Sequence, residues 1–274
     1  KELLFPNAVY LHRDRQYLSL ELDIENLKCY IEESQLNYYT DSVVKTDIKV
    51  LEVDSSDLCA DCRVISGDVL VRSQVAKYKK LKFGTHENLG YGDIHLPEEE
   101  IHTRAVLMAF AAESRGAQAM EQVRPEIREH VIAHIGTLVK NVAPVFLLCE
   151  RSDIGIAERI KDPFTEVPTI YVYDTAPGGI GLSEGFAEKR EQILVAAYDL
   201  VRQCSCEYGC PSCIGPDEGK TDDNKKLAVI HFFQTWLALA LENAPDPKRP
   251  QTEPLKVETL QTTDPLQKNG DMEE

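Results

Sequence analysis

The chain holds no run approaching the roughly 18 uncharged apolar residues that a membrane-crossing helix requires, and no basic segment followed by an apolar stretch opens it. Neither a membrane partner nor export is therefore expected, and the expected compartment is the cytoplasm. Positive charge is scarce as well. Lys and Arg number 30 against 46 Asp and Glu, and the net charge of −16 excludes wrapping nucleic acid over the whole surface, because most faces repel phosphate. A phosphate loop is also missing. Gly215-Pro-Asp-Glu-Gly219-Lys220-Thr221 has three residues between its glycines where G-x4-G-K-[ST] needs four, and Asp217 and Glu218 would face the phosphates. The chain thus shows no ATPase core, no nucleophilic serine motif and no identifiable pair of carboxylates. It opens on Lys1 and not on methionine, so a processed chain or a piece of a longer one is expected.

With 43% hydrophobic and 28% charged residues over 274 positions, a globular fold of one large or two small domains is expected. Up to about residue 95, β-branched and aromatic residues alternate with polar ones in Ala8–His12, Tyr17–Leu22, Cys29–Ile31, Val43–Val53, Arg63–Ile65 and Asp68–Phe83. Arg13-Asp14-Arg15, Ser55-Ser56-Asp57 and Ser66-Gly67-Asp68 separate them as turn-like clusters, so residues 1–95 read as an antiparallel β module. From Pro97 the period changes. Glu98, Glu99 and Glu100 follow that proline, and Ile101, Ala105, Met108 and Ala112 form an apolar stripe, predicting a helix to about Arg115 that stops at Gly116. A second helix opens near Pro125, with Ile127, Val131, Ile132, Ile135, Leu138 and Val139 on one face. Val145–Cys149 and Pro168–Tyr173 read as buried strands, Ser183–Gln203 and Asp222–Glu242 as two further helices. The fold class expected is α+β: the β module followed by a mixed α/β domain over residues 96–243, then a polar, proline-rich tail at 244–274 that cannot offset its ordering entropy and should be disordered.

Four of the eight cysteines fall within ten residues, Cys204-Ser-Cys206-Glu-Tyr-Gly-Cys210-Pro-Ser-Cys213. Such crowding in a chain with no export signal points to metal ligands rather than disulfides. A tetrahedral zinc ion takes four thiolates at about 2.3 Å, Gly209 permits the turn, and Pro211 stiffens the second Cys-x-x-Cys knuckle. A closed set leaves no open coordination position, so the site expected is structural, with zinc as one ion. An iron–sulfur cluster uses the same four thiols and stays the alternative. Cys59-Ala-Asp-Cys62 is a second C-x2-C at a turn with no further pair near it, read as small half-buried residues, and Cys29 and Cys149 read as core.

Other candidates are weaker. The glycine-rich segment Asp174-Thr-Ala-Pro-Gly-Gly-Ile-Gly-Leu182 joins a strand to a helix, where amides bind anions, but a lone glycine cluster is a weak signal and a tight, closely packed strand-to-helix connection is the favoured reading. His130 and His134 share a helix face but lack the glutamate of H-E-x-x-H, so core or rim histidines are the favoured reading. Between Arg63 and Phe83 lies the one basic island, with Arg63, Arg72, Lys77, Lys79, Lys80 and Lys82 against Asp68 alone. If Val75–Phe83 is a strand, Lys77, Lys79, Lys80 and Lys82 can neutralise phosphates and Tyr78 can stack a base, as proteins that hold single strands do. A solvated edge strand kept from aggregating by its lysines is the alternative.

The blocks DTAPGGIGL (Asp174–Leu182) and CSCEYGCPSCIG (Cys204–Gly215) resemble the C-terminal zinc-binding domain of the MrfA/YprA group of DEAD/DEAH-box superfamily 2 helicases. AVYLH at Ala8–His12, Tyr39-Thr40, Tyr78-Lys79-Lys80 and THENLGYG at Thr85–Gly92 look like the region preceding it. The resemblance implies a DNA-repair helicase that uses ATP to move 3′ to 5′ on single-stranded DNA, with zinc on Cys204, Cys206, Cys210 and Cys213. Both motor domains of such helicases are missing here, so this chain alone is not expected to be catalytic. Its expected role is the accessory C-terminal part of such a helicase, guiding single-stranded DNA or bracing motor domains in cis or in trans. The alternative is a zinc-containing interaction subunit beside a separately encoded helicase, as in phage defence.

Overall fold

In the computed structural model, residues 3–85, 87–215 and 224–238 are described. The tail expected to be disordered, most of the Gly215–Thr221 tract and both ends of the last expected helix lie outside them. Three antiparallel strands open the chain in the order β1-β2-β3: β1 (Val9–His12), β2 (Arg15–Asp23) and β3 (Lys28–Ser34). The expected turn joins β1 to β2. Arg13 and Asp14 both hold left-handed conformations, φ 48° and 61°, whose twist matches that of the flanking strands in a two-residue hairpin.

The second sheet is antiparallel throughout and has six strands: β4 (Tyr38–Leu58), β5 (Arg63–Lys82), β6 (Asn88–Asp93), β7 (Glu99–Ala109), β8 (Ile154–Arg159) and β9 (Thr169–Asp174). Its order is β4-β5-β7-β9-β8, with β6 against the far end of β5. The boundary expected near residue 95 falls between β6 and β7, both of which pair with β5. Two expected turns prove to be strand. Ser55-Ser56-Asp57 continues β4, and Ser66-Gly67-Asp68 continues β5. Gly67 marks a close backbone approach instead: β4 bulges around Glu52 and Val53, and a Cβ on Gly67 would collide with the Glu52 carbonyl oxygen. The hairpin turns at Cys59–Cys62, where the Cys59 N–H donates to the Cys62 carbonyl at 3.0 Å.

The helix expected from Pro97 is a correction. Residues Glu99–Ala109 form β7, a central strand between β5 and β9. Val106 and Met108 enter one apolar cluster, and Ala105 and Leu107 enter another on the opposite face. A strand covered on both faces loses its alternation, and its apolar positions then match helical spacing by coincidence. Helix α1 (Arg115–Gln122) begins where that helix was to end, with Ser114 Oγ accepting from the Ala117 N–H at 3.2 Å.

A 3-10 turn at Pro125–Ile127 leads into α2 (Arg128–Leu147), whose expected stripe is buried. The strand expected at Val145–Cys149 is instead the end of α2, which closes on Leu148 in the left-handed conformation (φ 55°). By length and hydropathy alone Pro125–Leu147 would qualify to cross a bilayer. Here Val131, Ile132, Ile135, Leu138 and Val139 pack against the sheet and the neighbouring helices. Helices α3 (Leu182–Gln203) and α4 (Lys225–Trp236) complete that layer, bringing Phe186, Ile193, Leu194, Phe232, Phe233 and Trp236 into one core with Phe110. The result is the expected α+β fold, an N-terminal antiparallel β module followed by a mixed region of sheet and helices that carries the cysteines.

Candidate metal centre

Helix α3 delivers the first cysteine directly, since the Cys204 N–H closes its last turn on the Leu200 carbonyl at 3.1 Å. Two turns then fold the knuckle. Gly209 has φ 132°, and a Cβ there would lie 2.6 Å from the Gly215 carbonyl, so both conformation and space require glycine. The N–H groups of Cys213 and Gly215 both donate to the Cys210 carbonyl at 3.0 Å. The four sulfurs meet as a consequence. Cys204–Cys206 and Cys206–Cys213 are 3.5 Å apart, Cys204–Cys210 and Cys210–Cys213 3.6 Å, and all four Sγ atoms lie within 4.8 Å of one another.

A tetrahedron with metal–sulfur bonds of about 2.3 Å has edges of about 3.8 Å, so the spacing fits a single ion. An iron–sulfur cluster would place several iron and sulfide atoms between the thiolates and spread them further. The surroundings act unequally on the thiols. The Cys206 backbone N–H helps pull Cys204 down to about 7, while burial pushes Cys213 up to about 12. A bound divalent ion deprotonates its thiol ligands outright, overriding that difference.

Neighbouring helices hold the knuckle from two sides. From α2, Asn141 Nδ2 donates to the Cys213 carbonyl at 2.9 Å, and His134 Nδ1 lies 2.7 Å from the Ile214 carbonyl. From α4, Lys226 Nζ donates to the carbonyls of Cys204 (2.7 Å) and Cys206 (2.5 Å). His134 therefore braces the site rather than ligating it, and His130 faces solvent. Sequence reasoning missed Asn141 and Lys226. The only signal was a polar residue interrupting an apolar helical stretch.

The glycine-rich segment after β9 is already occupied by an anion of the chain itself. Asp174, fully buried, accepts from the N–H groups of Ile180 (2.5 Å), Leu182 (3.1 Å) and Ser183 (2.7 Å). Gly178, Gly179 and Gly181 all have positive φ, which turns these amides inward. Arg104 supports the segment from β7, pairing with Asp54, Asp68 and Glu184. This is the tight strand-to-helix connection, and it fixes the start of the helix that ends at Cys204.

The basic island lies on β5 between β4 and β6. Lys77 is exposed, while Lys79, Lys80 and Lys82 are half-buried. Lys80 Nζ sits 5.5 Å from the centre of the Tyr38 ring, and Lys79 stands between Asp41 and Tyr91 on the flanking strands. Tyr78 is a correction. It is 4% exposed, 5.2 Å from the Phe5 ring and pressed onto Gly92, so it offers no face for stacking. The strand bulges at Ala76, where Val75 and Lys77 oppose consecutive residues of β4, which breaks its two-residue alternation just before Tyr78. Cys59 and Cys62 stay at their hairpin turn, where Asp61 pairs with Arg190 of α3 at 3.2 Å.

Comparison with known proteins agrees with the cysteine geometry. Residues 135–214, all four thiols included, match the family model of the MrfA Zn-binding domain. The uncharacterized protein MJ1572.1 of Methanocaldococcus jannaschii is 33% identical over 88 residues, which cover 31% of this chain and 76% of that protein. The chain belongs to the MrfA zinc-binding family. The similarity extends beyond the MrfA-type domain, since the uncharacterized ATP-dependent helicase YprA of Bacillus subtilis is 37% identical over 215 residues, 78% of this chain and 28% of YprA. Crystal structures of the DUF1998 helicase MrfA superpose with TM-score 0.60 (29% identity, 83% of this chain and 29% of MrfA) and, bound to DNA, 0.52 (35% identity, 85% and 30%). The chain thus spans under a third of these helicases. It carries a helicase-associated zinc domain whose four cysteines are positioned to bind one zinc ion.

Proposed function

We propose that the chain is the zinc-stapled accessory region of an ATP-dependent 3′ to 5′ DNA-repair helicase, acting in the reducing cytoplasm, and that β5 presents lysines to the backbone of the single strand. The observation that carries this reading is similarity running through both the β-rich part and the zinc domain, 37% over 215 residues of a helicase, together with a match to a MrfA crystal structure that contains DNA. The ion supplies no chemistry beyond closing the knuckle. The protein's own groups do the rest: Lys77, Lys79, Lys80 and Lys82 meet phosphates as point charges, and the surrounding acidic surface limits binding to that strand.

The test is the salt dependence of single-strand affinity for this chain and for its Lys77→Gln, Lys79→Gln, Lys80→Gln variant. Each lysine–phosphate pair removed should flatten the slope of log affinity against log salt by about 0.7. Unchanged affinity and slope would remove DNA from the role of β5. A second reading is favoured by MJ1572.1, in which the matched 88 residues make up 76% of the protein and leave no room for a motor. On that reading the zinc domain works beside a separately encoded helicase. Recovery of a motor protein with the tagged chain, in the absence of any DNA binding, would select it.

A further inference from the structure

The zinc site has a charge problem that its ligands do not solve. Zinc(II) with four thiolates carries a net charge of −2, and Glu207 within the same loop adds to it. Lys226 presents the converse problem. Its residue is only 6% exposed, and a buried ammonium is rarely tolerated without an opposite charge. Yet its two acceptors are neutral carbonyls, those of Cys204 and Cys206, and among the described residues no carboxylate forms an ion pair with it. Both acceptors belong to ligands. The lysine sits in the first turn of α4 behind the Asn224 cap, so its ammonium is held over the knuckle by a helix and not by a mobile loop.

We infer that Lys226 is the counter-charge of the metal site, a positioning residue whose buried ammonium offsets the zinc tetrathiolate and fixes two of its four ligands from the backbone side. The inference rests on the zinc assignment and is independent of any DNA role. It explains why the knuckle and α4, separated in sequence by residues 216–223, belong to one unit: the ion organises the knuckle, the knuckle carbonyls hold Lys226, and Lys226 anchors the helix that carries Phe232, Phe233 and Trp236 into the core. Outer-sphere partners of this kind typically change metal affinity by about 10 to 100-fold.

The experiment compares zinc affinity of the whole chain by competition with a chromophoric chelator, for wild type and for Lys226→Gln, Lys226→Met and Lys226→Arg. Glutamine keeps a donor but no charge, and arginine keeps the charge. The Gln and Met variants should lose about 10 to 100-fold in affinity, and Arg should stay within about threefold of wild type. In the cobalt(II)-substituted protein the thiolate-to-metal charge-transfer band should move to lower energy in Lys226→Gln, because uncompensated thiolates release electrons more easily. A general structural role leaves that band in place. If Lys226→Met does not fold, the Gln and Arg pair decides the matter. Wild-type affinity and an unshifted band in Lys226→Gln would overturn the inference while leaving the zinc site standing. A wild-type chain that binds no zinc would overturn both.

Discussion

Replacing Asp174 with alanine removes the acceptor for three backbone N–H groups at the start of the 22-residue α3. Each hydrogen bond to a charged group contributes about 1.5–3 kcal/mol. Two corrections reduce the sum. The wild-type carboxylate is itself desolvated, which opposes its benefit, and Ile180 beside it is 62% exposed, so water reaches part of the freed loop. A net loss of about 3 kcal/mol follows for Asp174→Ala, and about 2 kcal/mol for Asp174→Asn, which keeps one acceptor oxygen but turns an NH2 toward donors. For a domain of this size that is a fall in Tm of about 6–12 °C for alanine. Thermal unfolding with zinc present is the assay. Zinc content should not change, because the thiols lie at the other end of the helix. If both variants melt within about 2 °C of wild type, the three hydrogen bonds are not what holds the glycine-rich segment.

Glu158 on β8 lies against Gly136 of α2, where a Cβ would collide with its carboxylate, and burial pushes it up from 4.5 to about 7. Its native state therefore holds a proton that the unfolded chain has released, and stability should fall as pH rises between about 4.5 and 7, then level off. Glu158→Gln should abolish that slope and be more stable than wild type above pH 7 by at most about 3 kcal/mol; identical urea midpoints for the two proteins at low and high pH would count against it. Gly67→Ala forces β4 and β5 apart at the bulge and should cost about 2–3 kcal/mol, read as a lower urea midpoint at unchanged slope; a loss below about 0.5 kcal/mol would mean that the bulge yields freely.

The four cysteines were legible because metal chemistry fixes ligand type and spacing within a short stretch, whatever the fold. Helices α2, α3 and α4 were legible because one face of each meets the core and the other meets water. The central strand β7 was not. Ala105 and Leu107 face one apolar cluster while Val106 and Met108 face another, and a segment buried on both sides carries no period to read. The end of α2 failed differently, since Val145 to Cys149 is apolar yet Val145 and Leu148 are exposed. Tyr78 was misjudged because a bulge in β5 at Ala76 shifts the alternation by one residue, and bulges leave no mark in composition. Lys226, Asn141 and Asp174 act on groups that their own neighbours in sequence do not reveal, either 20 or more residues away or through backbone amides alone.

The account depends most on one ion at the junction of α3 and α4. Metal analysis of the purified chain should return about one zinc per molecule, and a strong chelator should unfold the knuckle together with α4, seen as a cooperative loss of helical signal that added zinc restores. A chain that contains no metal, keeps its helical signal and ignores the chelator would contradict it.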